Sequence, residues 1–140
     1  MSKKPETIRA LKIPADRDKP MEIITLQNAN DYYLQALQEI VGGFIERVAI
    51  GDCRTHRRWT EIIMFVDDEG SFKPGYDVNP RASILYGSPV HGSVIYGDVV
   101  ITGETIGIEG AECSDLNEYY SVGFFETYLG EFLGRGVSGH

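Results

Sequence analysis

The stretch "TEIIMFV", residues 60–66, decides the architecture. An apolar run of strand length, opened by Thr60-Glu61 and closed by an acidic turn, reads as a strand lying centrally in a sheet. The turn is Asp67-Asp68-Glu69-Gly70, where Gly70 is available for positive φ. Just upstream, "GDCRTHRRW" (51–59) reads as a loop and is the one local concentration of positive charge outside the N-terminus. Ahead of it, "FIERVAI" (44–50) reads as another strand.

Working outward, "NANDYYLQALQEIVGG" (28–43) is the clearest helix. Asn28 or Asn30 can cap its unpaired N–H groups, and Asp31 suits its positive end. Tyr33, Leu37, Ile40 and Val41 recur at helical spacing, and Gly42-Gly43 stop it. Closer to the N-terminus, "IRALKIP" and "MEIITL" read as two strands joined by the turn "ADRDKP".

Downstream, Pro74, Gly75 and Pro80 keep "SFKPGYDVNP" irregular. "RASILYG" suits a strand or a short helix, and Asn79-Pro80 favours the helix. "VIYGDVVITGE" (94–104) supplies two short strands or one bent strand, broken at Gly97-Asp98 and ended by Gly103. Residues 104–113 read as a loop or a small acidic hairpin, and Ser114 as the cap of a final helix over 115–134. In that helix Leu116, Tyr120, Phe124 and Tyr128 form one stripe, widened by Phe125, Leu129, Phe132 and Leu133. A helix apolar over so much of its girth is buried in the core or meets a second subunit with its spare face, which leaves a homo-oligomer open.

The expected fold class is therefore α+β: a small mixed, mostly antiparallel sheet packed by two main helices, at 28–41 and 115–133. One domain would span 8–134, with a mobile N-terminus (1–7) and a flexible tail (135–140). At 140 residues, 42% hydrophobic and 24% charged, the composition is that of a soluble globular chain. The N-terminus lacks the apolar core of a signal peptide, and no run reaches the roughly 20 apolar residues that span a bilayer. A cytoplasmic location follows, with Cys53 and Cys113 as thiols.

The net charge of −8 is unevenly distributed. Residues 1–81 carry 12 Lys or Arg against 13 Asp or Glu, whereas residues 82–134 carry eight acids and no Lys or Arg. Nonspecific nucleic-acid binding is disfavoured by that balance, and a basic protein partner is favoured.

Three blocks occur in one order: "EIVGGFIERVAI", then "IIMFVDDEGSFKPGYDVNPRA", then "IYGDVVITGE". Together they resemble the family called domain of unknown function 3846, over roughly residues 20–134. The acidic turn departs slightly, with Asp67-Asp68 where the family more often has Asn-Glu. The resemblance transfers no activity. It implies a phage or mobile-element accessory protein acting in the cytoplasm of a bacterial host.

Few side chains suit chemistry. Cys53 and His56 have the spacing of two metal ligands, but a second pair is missing. Cys53 among Arg54, His56, Arg57 and Arg58 could be reactive, yet a basic loop with an incidental cysteine needs no such role. The turn acids lack calcium-loop spacing. No catalytic residue, metal or cofactor is expected.

Two binding surfaces are expected instead. Arg54, Arg57 and Arg58 with Trp59, helped by Tyr76 and Tyr86, could grip a planar anion such as a nucleotide. Glu109, Glu112, Asp115 and Glu118 could dock on a partner protein. The leading expectation is a non-catalytic accessory protein whose acidic face docks on a host factor and inhibits or sequesters it, with anti-defence as one such role. The alternatives are a pocket that sequesters a small nucleotide signal and an assembly role for the aromatic last helix.

Overall fold

In the computed structural model, the described residues are 6–29, 33–70, 77–108 and 110–138. Their strands are β1 (Thr7–Ile13), β2 (Glu22–Gln27), β3 (Ile45–Val48), β4 (Gly51–Asp52), β5 (Arg57–Arg58), β6 (Ile62–Asp67), β7 (Val99–Gly107) and β8 (Gly110–Ser114). The helices are α1 (Leu34–Val41), α2 (Pro80–Tyr86), α3 (Ser88–His91) and α4 (Val122–Ser138). The main sheet runs β2-β1-β7-β6-β3, with β8 also on β7, and the pairings among the described residues are antiparallel.

All six residues of β6 are buried, because both faces of the sheet are covered. Ile62, Met64 and Val66 pack with Leu11, Ile13, Val99 and Ile101 under Leu85 of α2 and Phe125 and Leu129 of α4. Ile63 and Phe65 face the other way, joining Ile8, Val100 and Leu26 beneath Leu37 and Val41 of α1. This is the expected α+β domain. β6 pairs with β7 and β3, and β7 holds the middle of the sheet.

Several expected boundaries move. α1 starts at Leu34, not at Asn28, because the N–H of Asn28 bonds the Glu6 carbonyl (2.8 Å) and prolongs the β1–β2 pairing. The other proposed cap residues, Asn30 and Asp31, lie outside the described residues. Gly42 ends the helix as expected, at φ 94° with its N–H on the Gln38 carbonyl.

The last helix starts at Val122, with Ser121 as its cap in place of Ser114: the Ser121 hydroxyl accepts from the Phe124 N–H at 3.1 Å. Residues 115–121 are held away from a helix by β1. Leu116 donates its N–H to the Arg9 carbonyl (2.9 Å), and the Asp115 carboxylate accepts from the Arg9 N–H (2.8 Å). Leu116 and Tyr120 still reach the core, but from an irregular segment. At its far end α4 continues to Ser138, beyond 134.

Gly103 does not end β7. It lies within a strand that runs on to form the hairpin with β8. Its missing side chain has another reason: a Cβ there would lie 2.1 Å from the Asp115 carbonyl oxygen. The 51–59 segment is also more ordered than a loop, since β4 and β5 pair across it as a hairpin.

Candidate ligand-binding site

The β4–β5 hairpin presents the basic residues. Asp52 pairs with Arg57 and Gly51 with Arg58. Gly51 permits this crossing, because a Cβ would lie 2.2 Å from the Arg57 carbonyl oxygen. His56 closes the turn at φ 58°, a region that His enters more readily than most residues.

The three arginines differ sharply in what they touch. Arg54 is clamped: it bonds Asp52, reaches Glu131 on α4 and lies 4.9 Å from the Tyr128 ring centroid. Arg58 reaches Glu104, which also holds Arg47. The Arg57 side chain is exposed and has no hydrogen bond or ion pair among the described residues. One guanidinium of the three is therefore uncommitted.

A groove of about 620 Å³ separates the hairpin from α4. Trp59 and Tyr120 line it together with Phe124 and Tyr128 from the helix, and Arg54 and Arg57 stand over it. Trp59 is half-buried, with ring centroids 5.6 Å from Phe124 and 5.2 Å from Tyr128. Such edge-on packing fixes the indole while leaving part of it accessible. Tyr119, 68% exposed, borders the same groove.

The Tyr128 hydroxyl locks helix to hairpin, donating to Asp52 (3.1 Å) and accepting from the Cys53 N–H (3.2 Å). Burial raises its pKa; the hydrogen bond from the Cys53 N–H opposes this, while the Cys53 thiol and the Asp52 carboxylate add to it. Burial also pushes Asp52 upward, but hydrogen bonds from the Arg54 side chain and backbone and from Tyr128 outweigh it, so its carboxyl sits below its ordinary 3.8. The Arg54 guanidinium is held protonated by Asp52 and Glu131.

Tyr86 lies elsewhere. It lines a second depression, of about 240 Å³, where hairpin residues meet Leu85, Val90 and His91. His91 packs edge-on against Tyr86 at 4.8 Å. Asp52 and Arg57 line both depressions, Arg58 only the second, and Trp59 only the groove. Tyr76 falls outside the described residues.

The acids of the C-terminal third are not a bare face. Asp98 pairs with Lys12 at 3.8 Å, Glu104 with Arg47 and Arg58, and Glu131 with Arg54. Of the residues expected to dock on a partner, Asp115 and Glu118 are exposed, Glu112 is half-buried, and Glu109 lies outside the described residues. Charges that are segregated along the sequence are thus partly matched in space.

Among the described residues no group of three or more His, Cys, Asp or Glu is placed to hold a metal ion. Cys53 and Cys113 form no disulfide. Among those residues, too, no helix is long and apolar enough to cross a membrane.

What the sequence reading missed is the wall supplied by Tyr119, Tyr120, Phe124 and Tyr128. The signal was visible as an aromatic run, but assigning it to one continuous helix stripe hid the fact that its two halves come from different elements.

The fold and its groove define a small two-faced α+β domain carrying a ligand-sized depression. The chain belongs to the family described as domain of unknown function 3846 (DUF3846), whose model matches residues 8–124. No protein with a curated description matches it in sequence. Among solved structures it is similar to the small RNA methyltransferase HEN1, at 17% identity and a TM-score of 0.58. That similarity covers 98% of this chain but 18% of the methyltransferase chain, and it concerns the fold alone.

Proposed function

We propose that this chain is a binding protein without turnover, which captures a small, planar, anionic ligand of the nucleotide kind in the groove between the β4–β5 hairpin and α4. One observation carries the reading: a half-buried, edge-braced Trp59 shares that groove with the uncommitted guanidinium of Arg57. An indole face offers a base about 1–3 kcal/mol of stacking, and a free guanidinium offers a forked pair of donors to phosphate. Capture of this kind would suit the accessory role of sequestering a host signal. Docking of an acidic face on a basic protein is the second reading: Asp115 and Glu118 are exposed, but the acidic surface around them is reduced, because Asp98, Glu104 and Glu131 have cationic partners within the chain.

Trp59 is the single tryptophan of the sequence, so its fluorescence reports directly on the groove. Adenosine monophosphate should quench it saturably and raise the melting temperature with the logarithm of concentration. Arg57→Ala should weaken both effects. Unchanged emission with all four common nucleoside monophosphates at millimolar concentration would refute the reading.

A further inference from the structure

The groove and the Tyr86 depression are both lined by the one two-stranded hairpin and have Asp52 and Arg57 in common, Asp52 being already bonded by Arg54 and Tyr128. The groove is lined by aromatic rings, whereas the depression is lined by the Tyr86 and His91 rings and the aliphatic side chains of Leu85 and Val90. At about 240 Å³ the depression suits one ring system and not a whole drug-sized ligand. From this arrangement we infer that the ligand has two planar rings joined by one phosphodiester: a dinucleotide with one ring in each depression and its phosphate on the shared Arg57. The inference rests on the groove reading above.

Charge supports the diester over other phosphates. A terminal phosphate monoester carries about −1.5 to −2 at neutral pH, whereas a diester carries a single charge. Arg57 offers one uncommitted guanidinium, since Arg54 is held by Asp52 and Glu131 and Arg58 reaches Glu104. A planar guanidinium bonds two oxygens of one phosphate at once. Longer polyanions are opposed by the net charge of −8, which limits the ligand to a short one.

The test compares two probes on the full chain by Trp59 fluorescence: adenosine monophosphate and the linear dinucleotide adenylyl-(3′→5′)-adenosine. The dinucleotide is expected to bind at least about tenfold more tightly, which corresponds to the capture of one more ring. Val90 is 55% exposed and lines the Tyr86 depression but not the groove, so Val90→Glu should leave the fold intact. That variant should cancel the dinucleotide's advantage while adenosine monophosphate binds as before. Arg57→Ala should weaken both probes. If the monophosphate binds and the dinucleotide binds no better, or if Val90→Glu leaves the advantage intact, the bridging inference fails and the groove reading stands. If neither probe binds, both fail.

Discussion

The side-chain amide of Asn79 donates to the carbonyl of Gly97 at 2.9 Å and, at the same distance, to that of Ile13. Its oxygen accepts from the Ala82 N–H at 3.0 Å, capping α2, and its own N–H bonds the Ile95 carbonyl. Asn79 is fully buried, so this one residue satisfies polar groups of β1, α2 and the approach to β7 where water cannot. The Gly97 turn, at φ 81°, is what presents its carbonyl to the amide. Asn79→Ala removes a helix cap and leaves two carbonyls without this donor. A loss of about 3 kcal/mol in urea unfolding is expected. A loss below about 1 kcal/mol would show that the two carbonyls find other partners.

Two glycines should respond in opposite directions. At Gly103 a Cβ would meet the Asp115 carbonyl oxygen at 2.1 Å and Ser114 Oγ at 2.8 Å, so backbone must move. Gly103→Ala should cost about 1–3 kcal/mol or more. At Gly130, inside α4 and exposed, a Cβ meets nothing within 4 Å. Gly130→Ala should add about 0.5–1 kcal/mol through helix propensity. Parallel thermal melts of the two variants check both signs, and destabilisation by Gly130→Ala would contradict the open surroundings described for it.

The same residues show how far the sequence was legible. β6 was readable because burial on both faces demands an unbroken apolar run, and α2 because Asn-Pro is both cap and first-turn chemistry. Residues 115–121 were misread because their apolar spacing matches a helix, while the fold is set by bonds to Arg9, more than 100 positions away. Nothing local encodes such a contact. The family-matched glycines and Asn79-Pro80 turned out to be scaffold geometry, so they located the fold and left the groove unmarked. Arg57 and Trp59 stand out in the sequence because a local cluster of arginines adjoins an indole in 51–59. That Arg54 is clamped while Arg57 is not depends on Glu131 lying across the hairpin, which only folding arranges.

Asp52 should make stability depend on acid. Its folded-state pKa is depressed below 3.8, so its contribution is complete above the unfolded value and is lost as pH falls through the folded one. Urea midpoints should therefore decline from about pH 4 downward. Asp52→Asn should flatten that part of the profile, because the amide cannot titrate. An identical slope in the variant would assign the acid sensitivity to other carboxylates.

Adjacent phenylalanines of α4 should separate folding from binding. Phe125 is fully buried between helix and sheet, so Phe125→Ala opens a core cavity and should cost about 3–5 kcal/mol. Phe124 is half-buried and lines the groove, its ring 5.6 Å from Trp59 and 5.2 Å from Tyr120. Phe124→Ala removes an aromatic pair worth about 0.5–1.5 kcal/mol along with some apolar contact, so it should cost clearly less than its neighbour. It also takes away one of the rings that brace Trp59, which should shift the emission maximum and weaken nucleotide quenching. Denaturant unfolding followed by far-ultraviolet circular dichroism measures stability without relying on that indole, and ligand titration reports on the groove separately. Equal stability losses in the two variants would mean that the groove wall is part of the core. Unaltered nucleotide affinity in Phe124→Ala would mean that the ligand does not use this wall.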